Sequence, residues 1–193
     1  MASFFESIGE FFLEITQSIV IVISILLIVY LFFAQPHQVN GLSMYPMFDN
    51  GDYLLTDKIS YRTGKPKRGD VVVFKAPESA QCPTGTGCDF IKRMIGLPGE
   101  TVEVKENGFF INGEKLDEPY LSAENQTLAG VFISRGPIVL GPDEYFVSGD
   151  NRPHSSDSRS WGPITSKEIV GKAFFRYWPL KNAGLLVKAH YAF

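Results

Sequence analysis

Residues 15–34 read ITQSIVIVISILLIVYLFFA, twenty residues without a single charge. At about 1.5 Å rise per residue, a helix of that length spans the ~30 Å hydrocarbon core of a bilayer. A cleaved secretory signal would need a basic leader and a shorter apolar stretch. Residues 1–14 contain no Lys or Arg. A buried helix of a soluble domain would be shorter and polar on one face. The run therefore predicts a single transmembrane helix over 15–34. In the leader, Phe4, Phe5, Ile8, Phe11, Phe12 and Ile15 recur at helical spacing, with Glu6, Glu10 and Glu14 opposite them. That pattern predicts an amphipathic segment over 1–14 lying at the membrane surface. The alternative is a plain extension of the anchor. Orientation by positive charge needs Lys or Arg near the anchor ends, and the leader supplies none.

Beyond residue 34 the texture changes. Short β-branched and aromatic runs alternate with Gly, Pro, Asn and Asp. Candidate strands are 70–75, 100–104, 109–111, 131–133, 138–140, 145–147 and 169–178. Asn107-Gly108 and Asn112-Gly113 read as hairpin turns. No long stretch has helical periodicity. Residues 35–193 are expected to form one mainly β domain, a barrel or folded sheet with loops on its rim. A net charge of −3 with scattered basic residues excludes a general nucleic-acid binder. Short basic clusters such as 65–68 remain. Cys82 and Cys88 flank a Pro/Gly loop: they either close a small disulfide or are two free thiols. No CxxC pair and no His cluster is present, so neither a metal nor a cofactor is expected. Asn125-Gln126-Thr127 is a formal glycosylation sequon and is taken as incidental.

Three segments can carry chemistry. In GLSMYP, 41–46, Ser43 lies between Gly41 and Pro46, where backbone N–H groups can face an oxyanion. Serine in such a setting is usually just a turn residue. In FIKRMIGLPGE, 90–100, Lys92 would share a strand face with Phe90 and Met94, and Arg93 would point the other way. A lysine on an apolar face either snorkels to water or stays desolvated, with a lowered pKa and a basic amine. The third, SGDNRPHSSDSRSWGP, 148–163, is dense in polar side chains, with Asp157 and Arg159 as a candidate ion pair and Trp161 as an apolar clamp.

Taken in order, GxSMxP, RGDVVVF, FIKRMIGLPGE and GDNRxxSxDSRxWG resemble the type I signal peptidases. The likeness runs from about Val39 to Gly162. It implies that Ser43 is the nucleophile and Lys92 the general base. It implies that Ser155 orients the lysine amine, that Asp157 and Arg159 brace the site, and that Arg93 is the basic partner beside the lysine. Val39, Met44, Phe90 and Ile91 fall where the family lines its small-residue pockets. The Ser43 N–H and the Gly41 region would form the oxyanion hole. Many members carry a serine two residues before the nucleophile, where this chain has Gly41. Pro153 and His154 also vary the polar loop.

The resemblance implies a membrane-bound serine endopeptidase that cuts preproteins after a small-residue A-x-A-like site. Its partners would be signal peptides, the lipid bilayer and the export machinery. It would sit in the plasma or inner membrane with the catalytic domain outside the cytoplasm. Ser43 lies nine residues past Ala34, no more than roughly 30 Å of extended chain from the anchor. A histidine base at His37, His154 or His190 is a weaker alternative. A self-cleaving repressor-type protease would need a DNA-binding module, and none is visible. A catalytically weak scaffold of the same family is the remaining rival, kept open by Gly41.

Overall fold

The computed structural model describes residues 2–80, 82, 88–122, 125–186 and 191. Helix α1 runs unbroken over Ala2–Phe32. Within it, Ile8–Tyr30 is long and apolar enough to cross a membrane, and none of that window is buried against the rest of the protein. Such a helix hides no face in a protein core, so its apolar surface needs lipid. The expected turn between a surface leader and the span is absent. Gly9 is the only weak helix former in the leader, and one glycine costs only about 1 kcal/mol. The helix also stops before Ala34, because Ala34–Gln38 is already a strand (β1).

The strands that follow are β2 Tyr53–Asp57, β3 Val71–Lys75, β4 Asp89–Gly96, β5 Thr101–Lys105, β6 Gly108–Ile111 and β7 Glu114–Lys115. They continue with β8 Ile138–Val139, β9 Glu144–Ser148, β10 Ile164–Thr165, β11 Ile169–Trp178 and β12 Gly184–Leu185. Short helices α2 (Ser60–Thr63) and α3 (Ser158–Trp161) sit in the connections. The larger sheet has the order β1-β2-β11-β3-β4-β9-β10, with β12 on β11. The smaller has the order β7-β6-β5-β8. The domain is mainly β, as expected, and takes the folded-sheet form. No closed barrel forms among the described residues, since β1 and β10 each pair on one side only. Bulges along β11 bend the larger sheet.

Two hairpins show the turn chemistry. Glu106 and Asn107 both adopt positive φ, which makes them the two-residue loop between β5 and β6. The turn thus falls one residue earlier than Asn107-Gly108. Asn112-Gly113 closes β6–β7 as expected, again with positive φ at both. Residues 131–133 do not form a strand. Val131 is 75% exposed and only Ile133 turns inward, into a 3-10 turn over Ile133–Arg135. An isolated apolar triplet with one buried member has no sheet face to join.

Three apolar clusters hold the domain. Ile95, Val102, Phe109, Ile111 and Phe146 join the two sheets. Val72, Phe74, Met94, Val147 and Ile164 lie under β4 and β9. Val39, Met44, Phe48, Leu54 and Val71 form a floor under the segment that carries Ser43.

Candidate active site

The residues after β1 leave the sheet in a series of turns. Gly41 adopts φ +101°, a conformation that side chains resist, and a Cβ there would meet nothing within 4 Å. Backbone conformation, not lack of space, is what a serine at this position would have to overcome. The Gly41 N–H donates to Asn50 Oδ1 at 2.8 Å. Ser43 follows in the turn, and its N–H donates to no acceptor among the described residues.

Strand β4 brings Lys92 to it. Val72 pairs with Lys92 and Val73 with Ile91, which fixes the register. Lys92 Nζ stands 2.8 Å from Ser43 Oγ, and it donates to Ile91 O at 3.0 Å. It lies 5.2 Å from the centre of the Phe90 ring. Lys92 is only 4% exposed, so it does not snorkel. Burial pushes its pKa down from 10.5 to about 8; the Asp157 and Asp150 carboxylates oppose that shift and Arg159 assists it.

The loop after β9 presses on Ser43 from the other side. Asn151 N–H donates to Ser43 O at 3.0 Å, and Asn151 Nδ2 donates to Leu42 O at 3.0 Å. Gly149 permits this approach: a Cβ there would lie 2.4 Å from Ser43 O and 2.3 Å from Ser155 Oγ. Gly149→Ala is therefore expected to push the loop off Ser43. Any activity that runs through Ser43 should fall by about 100-fold or more, on the scale of a roughly 1 Å misplacement, measured as kcat/KM. Near-normal activity would show that the loop tolerates the displacement.

The loop is pinned by buried ion pairs. Asp157 accepts from Arg159 Nε at 2.8 Å and Nη2 at 2.7 Å, from Gly149 N at 3.1 Å and from Ser148 Oγ at 3.0 Å. Arg93 points away from Lys92 and grips Asp150 with Nε at 2.8 Å and Nη2 at 2.6 Å. Arg152 makes a two-pronged contact with Glu118, in the connection after β7, and lies over the Phe109 ring of the smaller sheet. Asp150, Asn151, Arg152 and Gly149 were not singled out from the sequence. Their signal was present in the run GDNR, whose density of polar residues inside a β domain needs buried partners.

Two expected contacts differ. Ser155 Oγ is buried but makes no hydrogen bond to Lys92 Nζ, whose partners among the described residues are Ser43 Oγ and Ile91 O. It packs beside Gly149, while the Lys92 amine is oriented by Ile91 O. Met44 is completely buried in the floor and does not line the groove, because its side chain fills the space between Val39 and Phe48. Val39, Phe90 and Ile91 do line it.

That groove has a volume of about 640 Å³ and runs between β1 and the start of β4, past Ser43 and Lys92. Its two walls are unpaired strand edges. Among the described residues, β1 bonds only to β2, and β9 joins β4 only from Arg93 onward, leaving Asp89–Lys92 open on that side. An extended peptide can add between them. His37 Nδ1 lies 2.9 Å from Thr56 Oγ1, and Nε2 lies 3.4 Å from Asp89 Oδ2, across the groove. Neither His37 nor the exposed His154 contacts Ser43. His190 lies outside the described residues. Cys82 and Cys88 are joined, with Cα atoms 6.0 Å apart, and Cys88 borders the groove. Among the described residues no cluster of His, Cys, Asp or Glu is placed to hold a metal.

A serine hydroxyl against a buried, weakly basic amine, beside a groove walled by two strand edges, is an arrangement that suits a serine hydrolase with a lysine base. The sequence model of the family described as "Signal peptidase, peptidase S26" matches residues 12–178. A probable signal peptidase I-2 of Synechocystis is 36% identical, over 90% of this chain and 77% of its own. Signal peptidase I P of Bacillus subtilis subsp. natto is 38% identical, over 88% of this chain and 90% of its own. Signal peptidase IB of Staphylococcus aureus is 37% identical, over 88% and 91%. The crystal structure of an Enterococcus faecalis signal peptidase I is 33% identical, with a TM-score of 0.43, and covers 56% of this chain and 96% of that one. The chain belongs to the signal peptidase family, peptidase S26, a family of serine peptidases.

Proposed function

We propose that this chain is a membrane-bound endopeptidase that removes signal peptides from exported preproteins, with Ser43 as nucleophile and Lys92 as general base. The observation that carries the assignment of roles is the 2.8 Å approach of the buried Lys92 amine to Ser43 Oγ. Neutral Lys92 takes the hydroxyl proton as Oγ attacks the scissile carbonyl. The free Ser43 N–H donates to the developing oxyanion, a role in which Gly41 contributes no hydroxyl. The ammonium then protonates the departing amine, and water deprotonated by Lys92 releases the acyl group.

The anchor and the groove account for the substrate. β1 begins where α1 ends and runs towards Ser43, so its anchor end marks the side from which a membrane-held peptide would arrive. The apolar stretch of a signal peptide can stay in the lipid while its extended end lies along β1. Val39, Phe90 and Ile91 leave space for small side chains beside the scissile bond. α1 spans the membrane once, with 35–193 on the extracytoplasmic face, where the export machinery delivers its clients. Residues 1–14 continue the anchor helix.

The test is cleavage of a purified preprotein by the full chain in liposomes. The wild type should cut after the A-x-A-like site, and folded Ser43→Ala should be inert. A wild type inert on several preproteins would favour the scaffold reading. A fully active Ser43→Ala would move the nucleophile elsewhere.

A further inference from the structure

Residues 58–68 read KISYRTGKPKR, five cations and no carboxylate in eleven residues. The proposed chemistry uses none of them. Their position is set by the anchor: Lys58 N–H donates to Phe33 O at 3.0 Å. Phe33 is three residues past Tyr30, where the membrane-compatible window ends. Lys58 therefore lies at the end of the apolar span, next to the headgroups.

The segment is built rather than loose. The Asp57 carboxylate accepts from Ile59 N at 2.7 Å and from Ser60 N at 3.1 Å. Gly64 N–H donates to Ser60 O at 2.9 Å, and Lys67 N–H donates to Asp70 Oδ2 at 3.0 Å. Tyr61 hydroxyl donates to Asp70 Oδ2 at 2.9 Å. These bonds shape a cavity of about 360 Å³ that shares no residue with the peptide groove. Lys58, Arg62 and Lys65 line it, with the hydroxyl-bearing Tyr145 and Ser166 and one carboxylate, Asp143. Arg62 and Lys65 are exposed and make no ion pair among the described residues.

We propose that this cavity binds the phosphate of an anionic phospholipid at the foot of the anchor. Two exposed cations, Arg62 and Lys65, against one carboxylate, with hydroxyl donors beside them, suit a phosphate diester. Free inorganic phosphate has the same chemistry, but α1 holds the cavity at a bilayer surface where lipid phosphate is at high effective concentration. A bound headgroup would fix the height of β1, and so of the groove, above the membrane. The proposal rests on α1 lying in the bilayer and not on the peptidase reading.

The experiment is native mass spectrometry of the full chain in micelles carrying equal phosphatidylglycerol and phosphatidylcholine. The wild type should retain one phosphatidylglycerol with a preference of about tenfold, the scale set by two or so basic residues near an anionic surface. The double variant Arg62→Gln/Lys65→Gln should fall to near parity with an unchanged Tm. The charge-preserving pair Arg62→Lys/Lys65→Arg should keep the preference. Equal retention by wild type and the Gln pair would overturn the proposal, as would loss in the charge-preserving pair. Displacement of the lipid by inorganic phosphate at comparable concentration would reassign the cavity to free phosphate. The readout needs no turnover, so a failed preprotein assay would leave it standing.

Discussion

Lys92→Met is expected to lower kcat/KM on a preprotein by on the order of 10⁴-fold or more while leaving the fold intact. Met nearly matches the lysine stem in length and suits the surroundings that already bury Lys92 to 4% exposure. What it removes is the proposed base. At lysine's ordinary pKa of 10.5, roughly one amine in three thousand is neutral at pH 7; at about 8, roughly one in ten is. Burial thus supplies a roughly 300-fold gain in competent enzyme before any geometry is counted. The wild-type profile follows from the same shift. Below pH 8, kcat/KM should fall about tenfold per unit as the amine takes its proton, and it should level off above pH 8. The residual activity of Lys92→Met should lack that limb. A variant that keeps both the rate and the limb would return the base to a histidine, with His37, which lines the groove, first in line.

The pieces of this site were legible in the sequence, but their assembly was not. Strand runs such as 70–75 and 169–178 announced themselves through β-branched and aromatic residues; Val71–Phe74 are all buried, whereas in 169–178 only Gly171 and Ala173 are. The fate of Lys92 could not be read from its apolar neighbours. Snorkelling and burial give the same local pattern, and the choice is made by the turn after β1, which folds back to bring Ser43 onto the Lys92 amine. That fold-back depends on the pairing of β1 with β2 and of β2 with β11, contacts far apart along the chain. Met44 illustrates the same gap. Its neighbour Ser43 faces the groove, and a one-residue difference in an irregular turn sends Met44 into the floor. Gly149 was invisible for a different reason. A glycine needed for close approach has no pattern of its own, only the atoms of Ser43 and Ser155 that a Cβ would strike.

Asp157→Ala is expected to destabilise the protein by about 3–5 kcal/mol, the cost of breaking a buried ion pair from one side. Asp157 is fully buried and Arg159 is 5% exposed. The substitution leaves a guanidinium without its carboxylate and strips acceptors from Gly149 N–H and Ser148 Oγ. Against a total of about 5–15 kcal/mol for a typical domain, that is a large share. Arg159→Met in the same chain should cost less than the sum of the single changes, because no orphan charge remains. The acid side follows from the carboxyl itself. Burial opposes its charge, but the Arg159 hydrogen bonds and charge, with Gly149 N–H, hold it below the ordinary 3.8. A depressed acid stabilises the fold above pH 3.8, and that contribution is lost as pH falls through the folded value. Asp157→Asn separates bracing from electrostatics. It keeps the shape and one acceptor oxygen but removes a negative charge that raises the Lys92 pKa. The acid limb of kcat/KM should therefore move below pH 8 even as the rate drops with the looser loop. A mere packing role for Asp157 would lower the rate and leave the limb in place, and that result would remove this carboxylate from the electrostatics of the dyad.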